Sequence, residues 1–150
     1  MKIPISVLVV IYNTSGEVLL IERADRKGFW QSVTGSLDSP HEMTRVAAER
    51  EVYEETGIQV AALHAAALQD MHHQVEYEIY SQWLHRYATG VTRNVEHWFS
   101  LLVPQATQIT LAPREHLTYQ WLKPQLAAVK CFSSSNRLAI ETVFNLDKSK

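Results

Sequence analysis

The chain of 150 residues has a single cysteine, Cys131. That excludes an internal disulfide and fits a reducing compartment. Cys131 reads as a small buried hydrophobe rather than a nucleophile. Zinc-type ligand spacing is lacking as well, so His72 and His73 read as ordinary surface histidines. Neither sign of charge is in large excess: 14 Lys+Arg stand against 16 Asp+Glu, for a net charge of −2. A nucleic-acid binder normally shows a basic face, so no nucleic-acid partner is expected. Small anionic substrates stay open, because a metal ion can supply positive charge locally. No apolar run is long enough to span a bilayer. VLVVI (7–11) could pass for the core of an export signal, but one lysine precedes it and a turn, not a small-residue cleavage site, follows. A cytoplasmic protein without a membrane partner is expected, and its oligomeric state is open.

No repeat, low-complexity linker or domain boundary interrupts the chain, and its length fits one domain over residues 1–150. PISVLVVIY (4–12) is rich in β-branched residues and ends at the turn signal NTSG (13–16); EVLLIER (17–23) then completes a hairpin. FWQSVTG (29–35) reads as a short strand. SPHE (39–42) has the form of a helix start, with Ser39 as N-cap, Pro40 at the first helical position and Glu42 closing a capping box. That helix should run to about Thr56, where Gly57 stops it. VEYEIYSQWL (75–84) alternates as a half-buried strand does, with Val75, Tyr77 and Ile79 on one face. HWFSLLVP (97–104) reads as a buried strand, and SSSNRLAIETVF (133–144) as a capped amphipathic helix facing the core through Ala139, Ile140, Val143 and Phe144. Strands flanking two marked helices predict an α/β fold, an α/β/α sandwich with a mixed β-sheet.

The helix expected to end at Gly57 carries REVYEETGI (50–58). Glu51 and Glu55 lie one turn apart on one face, with Glu54 beside them. Like charges at that spacing cost roughly 0.2–0.5 kcal/mol. Negative charge in a last turn opposes the helix dipole for about another 0.3–1 kcal/mol. Pairing of Arg50 with Glu54 offsets only part of this. A solvated acidic face is the plain alternative, but a helix made for stability would carry these residues in its first turn. A cation beside them removes the conflict. Glutamate oxygens select hard ions, so Mg²⁺ is expected, with Mn²⁺ a possible substitute and substrate phosphates completing the shell.

The spacing Glu42, Arg50, Glu51, Val52, Glu54, Glu55, Gly57, Ile58 resembles the signature of the Nudix hydrolases, which cleave nucleoside diphosphates linked to another moiety and related pyrophosphates. Gly35 precedes Glu42 by one residue more than the signature has, an insertion expected to be absorbed before Ser39; it bears on whether the Gly35 carbonyl reaches the metal. The resemblance implies that Glu51, Glu54 and Glu55 bind the metal and that Arg50 orients a glutamate through charge-assisted hydrogen bonds. Glu42 is explained equally by the capping box and by a role in the site.

Further stretches, including PISVLVVIY, FWQSVTGS, residues 75–99, EHLTYQWL (115–122) and SNRLAIE (135–141), are similar to the branch of that family that cleaves a pterin triphosphate in folate biosynthesis. This likeness implies that Glu115 adds a metal or base carboxylate from a distant loop. It also implies substrate contacts at Lys2, Arg23, Thr34, Tyr77, Glu78, Ile79, Tyr80 and Ser133. Arg23 offers a fork for phosphate oxygens, and Tyr77, Tyr80 or Trp30 a surface for a flat ring, although Trp30, Trp98 and Trp121 at strand spacing also read as core. Residues 85–94 read as a loop at the rim of the site. On this reading, Mg²⁺ neutralises the triphosphate while a carboxylate-held water attacks phosphorus, with Glu55 or Glu115 taking the proton. Two other readings compete: a Nudix hydrolase of purine triphosphates such as dATP, and a Nudix-like module that binds a nucleotide without cleaving it.

Overall fold

The computed structural model describes residues 1–146. Its centre is β1 (Ile5–Asn13), whose consecutive apolar residues are buried on both faces, as a strand in the middle of a layered sheet requires. The turn at 13–16 returns the chain into β2 (Val18–Arg23); the Asn13 side chain accepts the N–H groups of Ser15 and Glu17. β1 pairs in parallel with β6 (Arg93–Val103) and antiparallel with β2 and β4 (Val33–Ser36). β5 (Leu68–Glu78) is antiparallel to β6, while β3 (Trp30–Gln31) and β7 (His116–Leu122) both pair with β2. The result is a mixed sheet of seven strands.

Helices cover both faces. Val7, Val9, Ile11, Phe99 and Leu101 pack with Ala47, Ala48 and Val52 of α1 (Thr44–Thr56). The alternate residues Leu8, Val10 and Trp98 pack with α2 (Pro124–Lys130) and α3 (Ser134–Phe144) through Ala127, Ala128, Ala139 and Ile140. Alternation along β1 therefore divides its side chains between two cores. The α/β/α layering expected from the sequence is present.

Four boundaries differ from expectation. α1 begins at Thr44 with Met43 at the N-cap and no side-chain cap. The Ser39–Glu42 capping box does not form, because Glu42 is drawn to Arg50 instead. The stretch 29–35 breaks at Ser32 into β3 and β4, whose partners are different strands. β5 starts seven residues before Val75 and stops at Glu78, and Ser81–Arg86 turns as a 3₁₀ helix. β6 starts at Arg93, four residues before the strand expected from His97, so Asn94 belongs to a buried strand rather than to the rim loop expected over 85–94. The end of α1 matches the reading: Gly57 is left-handed (φ 76°) and its N–H bonds to the Tyr53 carbonyl. Ser133 caps α3 by accepting the Asn136 N–H.

Candidate active site

At its C-terminal half, α1 lies against β4, and one close approach sets the geometry. A Cβ placed on Gly35 would stand 2.0–2.5 Å from the Glu51 carboxylate atoms, so only glycine lets this carboxylate lie over the strand. Arg50 organises the acidic residues around it. Its guanidinium reaches Glu42, Glu51 and Asp38 at 3.0 Å, Glu54 at 3.3 Å, and donates to the Ser36 carbonyl at 3.0 Å. These pairs hold the Glu42 carboxyl below its usual range and raise the guanidinium further. Glu42 is thereby a partner of the orienting arginine, while the lengthened loop is pinned at Ser36 and Asp38.

Glu55 is buried and its Oε1 has no hydrogen-bond partner. Burial and the neighbouring Glu51 carboxylate push its carboxyl well up; burial likewise raises Glu51. Two desolvated carboxylates with one orphan oxygen are costly unless a cation joins them. The donor set is all oxygen, which fits a hard divalent ion. Among the described residues no three His, Cys, Asp or Glu side chains are gathered tightly enough to enclose an ion unaided; a shell would need oxygens from water or substrate. Glu54 and Glu115 are both exposed. Glu115 nevertheless lines the same hollow as Glu51, Glu54, Glu55 and Arg50, and its carbonyl accepts the Ala24 N–H.

That hollow adjoins a cavity of about 500 Å³, large enough for a nucleotide-sized ligand. Lys2, Arg23, Thr34, Tyr77, Glu78, Ile79, Tyr80 and Ser133 all line it, as do Glu55 and Glu115. The structure thus brings together residues that lie up to 131 positions apart, Lys2 and Ser133. Lys2 is tied down by its N–H to the Arg86 carbonyl, and burial together with Arg86 and Arg23 lowers its ammonium. Arg23 departs from expectation. Its fork is already closed on Asp25, with Nε and Nη2 each 2.7 Å from a carboxylate oxygen, and its plane lies over Trp83. Asp25 also receives Arg86, and these contacts hold its carboxyl near 2. Trp30 lies outside the cavity, under Lys130. Trp98 is core, fully buried, and Trp121 packs at the core's edge.

Several lining residues are not singled out by the sequence: Trp83, Phe132, Glu96 and His116, with Arg86 and Asn94 named only as part of the stretch 85–94 expected at the rim. For Asn94 and Glu96 a signal existed, two polar residues at strand spacing directly before HWFSLLVP, with Trp98 on the same face. His116 is buried with Nε2 3.6 Å from Glu55 Oε1, too long for a hydrogen bond, and burial lowers its imidazole to about 4. It is a neutral wall to the carboxylate. Nothing in the local sequence distinguishes it from a surface histidine.

A profile of the NUDIX domain matches residues 2–142. The chain belongs to the Nudix family. Among curated proteins, the Nudix chain is 49% identical over 141 residues to the dihydroneopterin triphosphate diphosphatase of Escherichia coli K12, covering 93% of this chain and 91% of that one. The protein of the same name from Haemophilus influenzae is 36% identical over 143 residues, with 94% and 88% covered. The solved structure of the E. coli dihydroneopterin triphosphate pyrophosphohydrolase superposes with a TM-score of 0.86 at 49% identity, covering 94% of each chain. A NUDIX hydrolase from Listeria monocytogenes superposes at 0.76 with 22% identity over 97% of both chains, a likeness of fold alone.

Proposed function

We propose that this Nudix protein is a pyrophosphohydrolase that converts dihydroneopterin triphosphate to the monophosphate and pyrophosphate, in folate biosynthesis. The observation that carries the reading is 49% identity, spread over 93% of the chain, to an enzyme of that name. A cavity lined by the buried Glu55 carboxyl, by Lys2, Arg23 and Arg86, and by the rings of Tyr80, Trp83 and Phe132 supports it.

A divalent cation, Mg²⁺ by preference, would neutralise charge on the phosphate oxygens and help ionise the attacking water. Glu51 and Glu55 would hold it, with Glu54 and Glu115 supplying further oxygens from the rim. Arg50 acts through them, fixing the Glu51 carboxylate against Gly35. Lys2 and Arg86 stand where they would take phosphate charge. Arg23 serves differently from a free fork: clamped by Asp25, it is a fixed positive plane backed by Trp83. Water oxygen forms the new bond to phosphorus as a bridging P–O bond breaks, and a carboxylate, Glu55 or Glu115, takes the proton. Tyr80, Trp83 and Phe132, with centroids 5.4–6.2 Å apart, offer faces to a flat ring.

The test is pyrophosphate release with Mg²⁺, comparing dihydroneopterin triphosphate with dATP and dGTP below KM. A kcat/KM at least about tenfold higher for the pterin is expected. Equal or better use of a purine nucleotide would keep the chemistry and replace the substrate. Binding of all three without release would leave the chain a ligand-binding module.

A further inference from the structure

One wall of the cavity, where β6 meets α3, is polar although a sheet–helix interface is normally apolar. Asn94 and Glu96 point from β6 to the same side as Trp98, beneath α3, and are 2% and 3% exposed. A side chain of either type is seldom buried without partners. The partners of Glu96 are all hydrogen-bond donors: Trp98 Nε1 at 3.1 Å and Ser135 Oγ at 3.1 Å, both to Oε1, with the Tyr77 hydroxyl on the same carboxylate. No cation neutralises it among these contacts. Asn94 donates through Nδ2 to Ser6 Oγ at 2.7 Å and to the Tyr77 hydroxyl oxygen at 3.1 Å. The amide nitrogen of Asn94 is thus turned toward the Ser6 and Tyr77 oxygens. Its Oδ1 then has no partner although it is buried.

Two acceptors two residues apart on one strand, one anionic and one orphaned, thus face the cavity. An unpaired buried acceptor is costly, and its persistence marks a place where a ligand's donors belong. We propose that Glu96 and Asn94 read the donor edge of a 2-amino-4-oxo-pyrimidine ring, the edge shared by pterin and guanine. Glu96 accepts from the ring N–H and one hydrogen of the 2-amino group; Asn94 Oδ1 accepts the other. An adenine ring meets the same wall with a ring nitrogen lone pair against a carboxylate, and hypoxanthine lacks the amino group. Ser135 and Tyr77 are positioning residues: Ser135 holds Glu96, and Tyr77 holds Asn94. This deepens the proposed function and rests on it for the direction in which the ligand lies, phosphates toward α1 and ring toward β6.

Equilibrium binding tests the edge without any turnover. Wild-type protein is titrated with GMP, IMP and AMP, and the titrations are repeated with Glu96→Gln. Expected for wild type is GMP tighter than IMP and AMP by at least about tenfold, the range of one or more hydrogen bonds to a charged group. In Glu96→Gln the GMP/AMP ratio should fall by roughly tenfold or more, because an amide can pair with the adenine edge as well as the guanine one. AMP binding as tightly as GMP to wild type would overturn the assignment, as would a folded Glu96→Gln protein that keeps the full GMP preference. Should Glu96→Gln fail to fold, the wild-type ligand series decides alone. If wild type prefers GMP yet does not cleave dihydroneopterin triphosphate, the edge assignment stands and the proposed substrate falls.

Discussion

The Glu55 carboxyl carries the sharpest consequences of any side chain in this protein. It is buried, raised, and has an oxygen with no partner. Replacing it by glutamine should lower kcat by roughly 10²–10³-fold with Mg²⁺ saturating, the cost of losing one charge partner in a transition state. Its effect on stability should have the opposite sign. A carboxyl raised in the folded state binds its proton more tightly there, so its stabilising contribution is complete below pH 4.5 and is lost as pH rises. Without metal, Glu55→Gln is therefore expected to melt above wild type at pH 8, with the gap closing toward pH 4.5; equal melting across that range would show that the carboxyl is not strained. Gly35→Ala tests the neighbouring approach. The new Cβ must displace the Glu51 carboxylate, the movable end of its side chain. Activity should drop well over tenfold while melting shifts little, and an active Gly35→Ala would mean that Glu51 need not lie over β4.

At the scale of an element, α1 shows why a helix start was harder to place than its stop. The stop is local chemistry: Gly57 adopts a left-handed conformation that a side chain strains, and a Cβ there would also come 3.2 Å from the Thr110 Cβ. Gly57→Ala should cost about 1–2 kcal/mol in denaturant unfolding with activity per folded molecule little changed. A neutral result would assign the stop to the packing of Ile58 instead. The start was misplaced because SPHE satisfies the capping pattern, whereas the competing partner of Glu42, Arg50, arrives only after the helix has formed. The same holds on β6. HWFSLLVP is recognisable by hydrophobicity, but its polar first half is made a strand by β1 and β5, with Ser6 opposite Glu96 and Tyr77 opposite Asn94.

For the whole molecule, metal and pH should act as linked effectors. An ion that binds the folded state alone adds about 2.7 kcal/mol at a hundred times its dissociation constant. Mg²⁺ is thus expected to raise the melting temperature of wild type at pH 8 and to do so much less for Glu55→Gln; an equal rise in both would move the ion away from α1. His116 works in the other direction. Its imidazole is lowered from 6.5 to about 4 by burial, then by Arg23 and against Asp25. The unfolded chain binds the extra proton between those values, so stability is lost as pH falls from about 6.5 to 4. The stability advantage of wild type over His116→Gln should shrink by ~3 kcal/mol across that window.

The sequence by itself determined the Nudix chemistry and the layers. REVYEETGI puts its carboxylates in the last turns of a helix, where they oppose the dipole and one another, and the doubly buried run of β1 demands cover on both faces; both are short-range consequences of the sequence. Tertiary structure alone decided what else lines the cavity: the neutral wall of His116 and the two acceptors Asn94 and Glu96 beneath α3. Those depend on which strands become neighbours. A polar side chain takes its meaning from partners that can lie 88 residues away, as Ser6 does from Asn94.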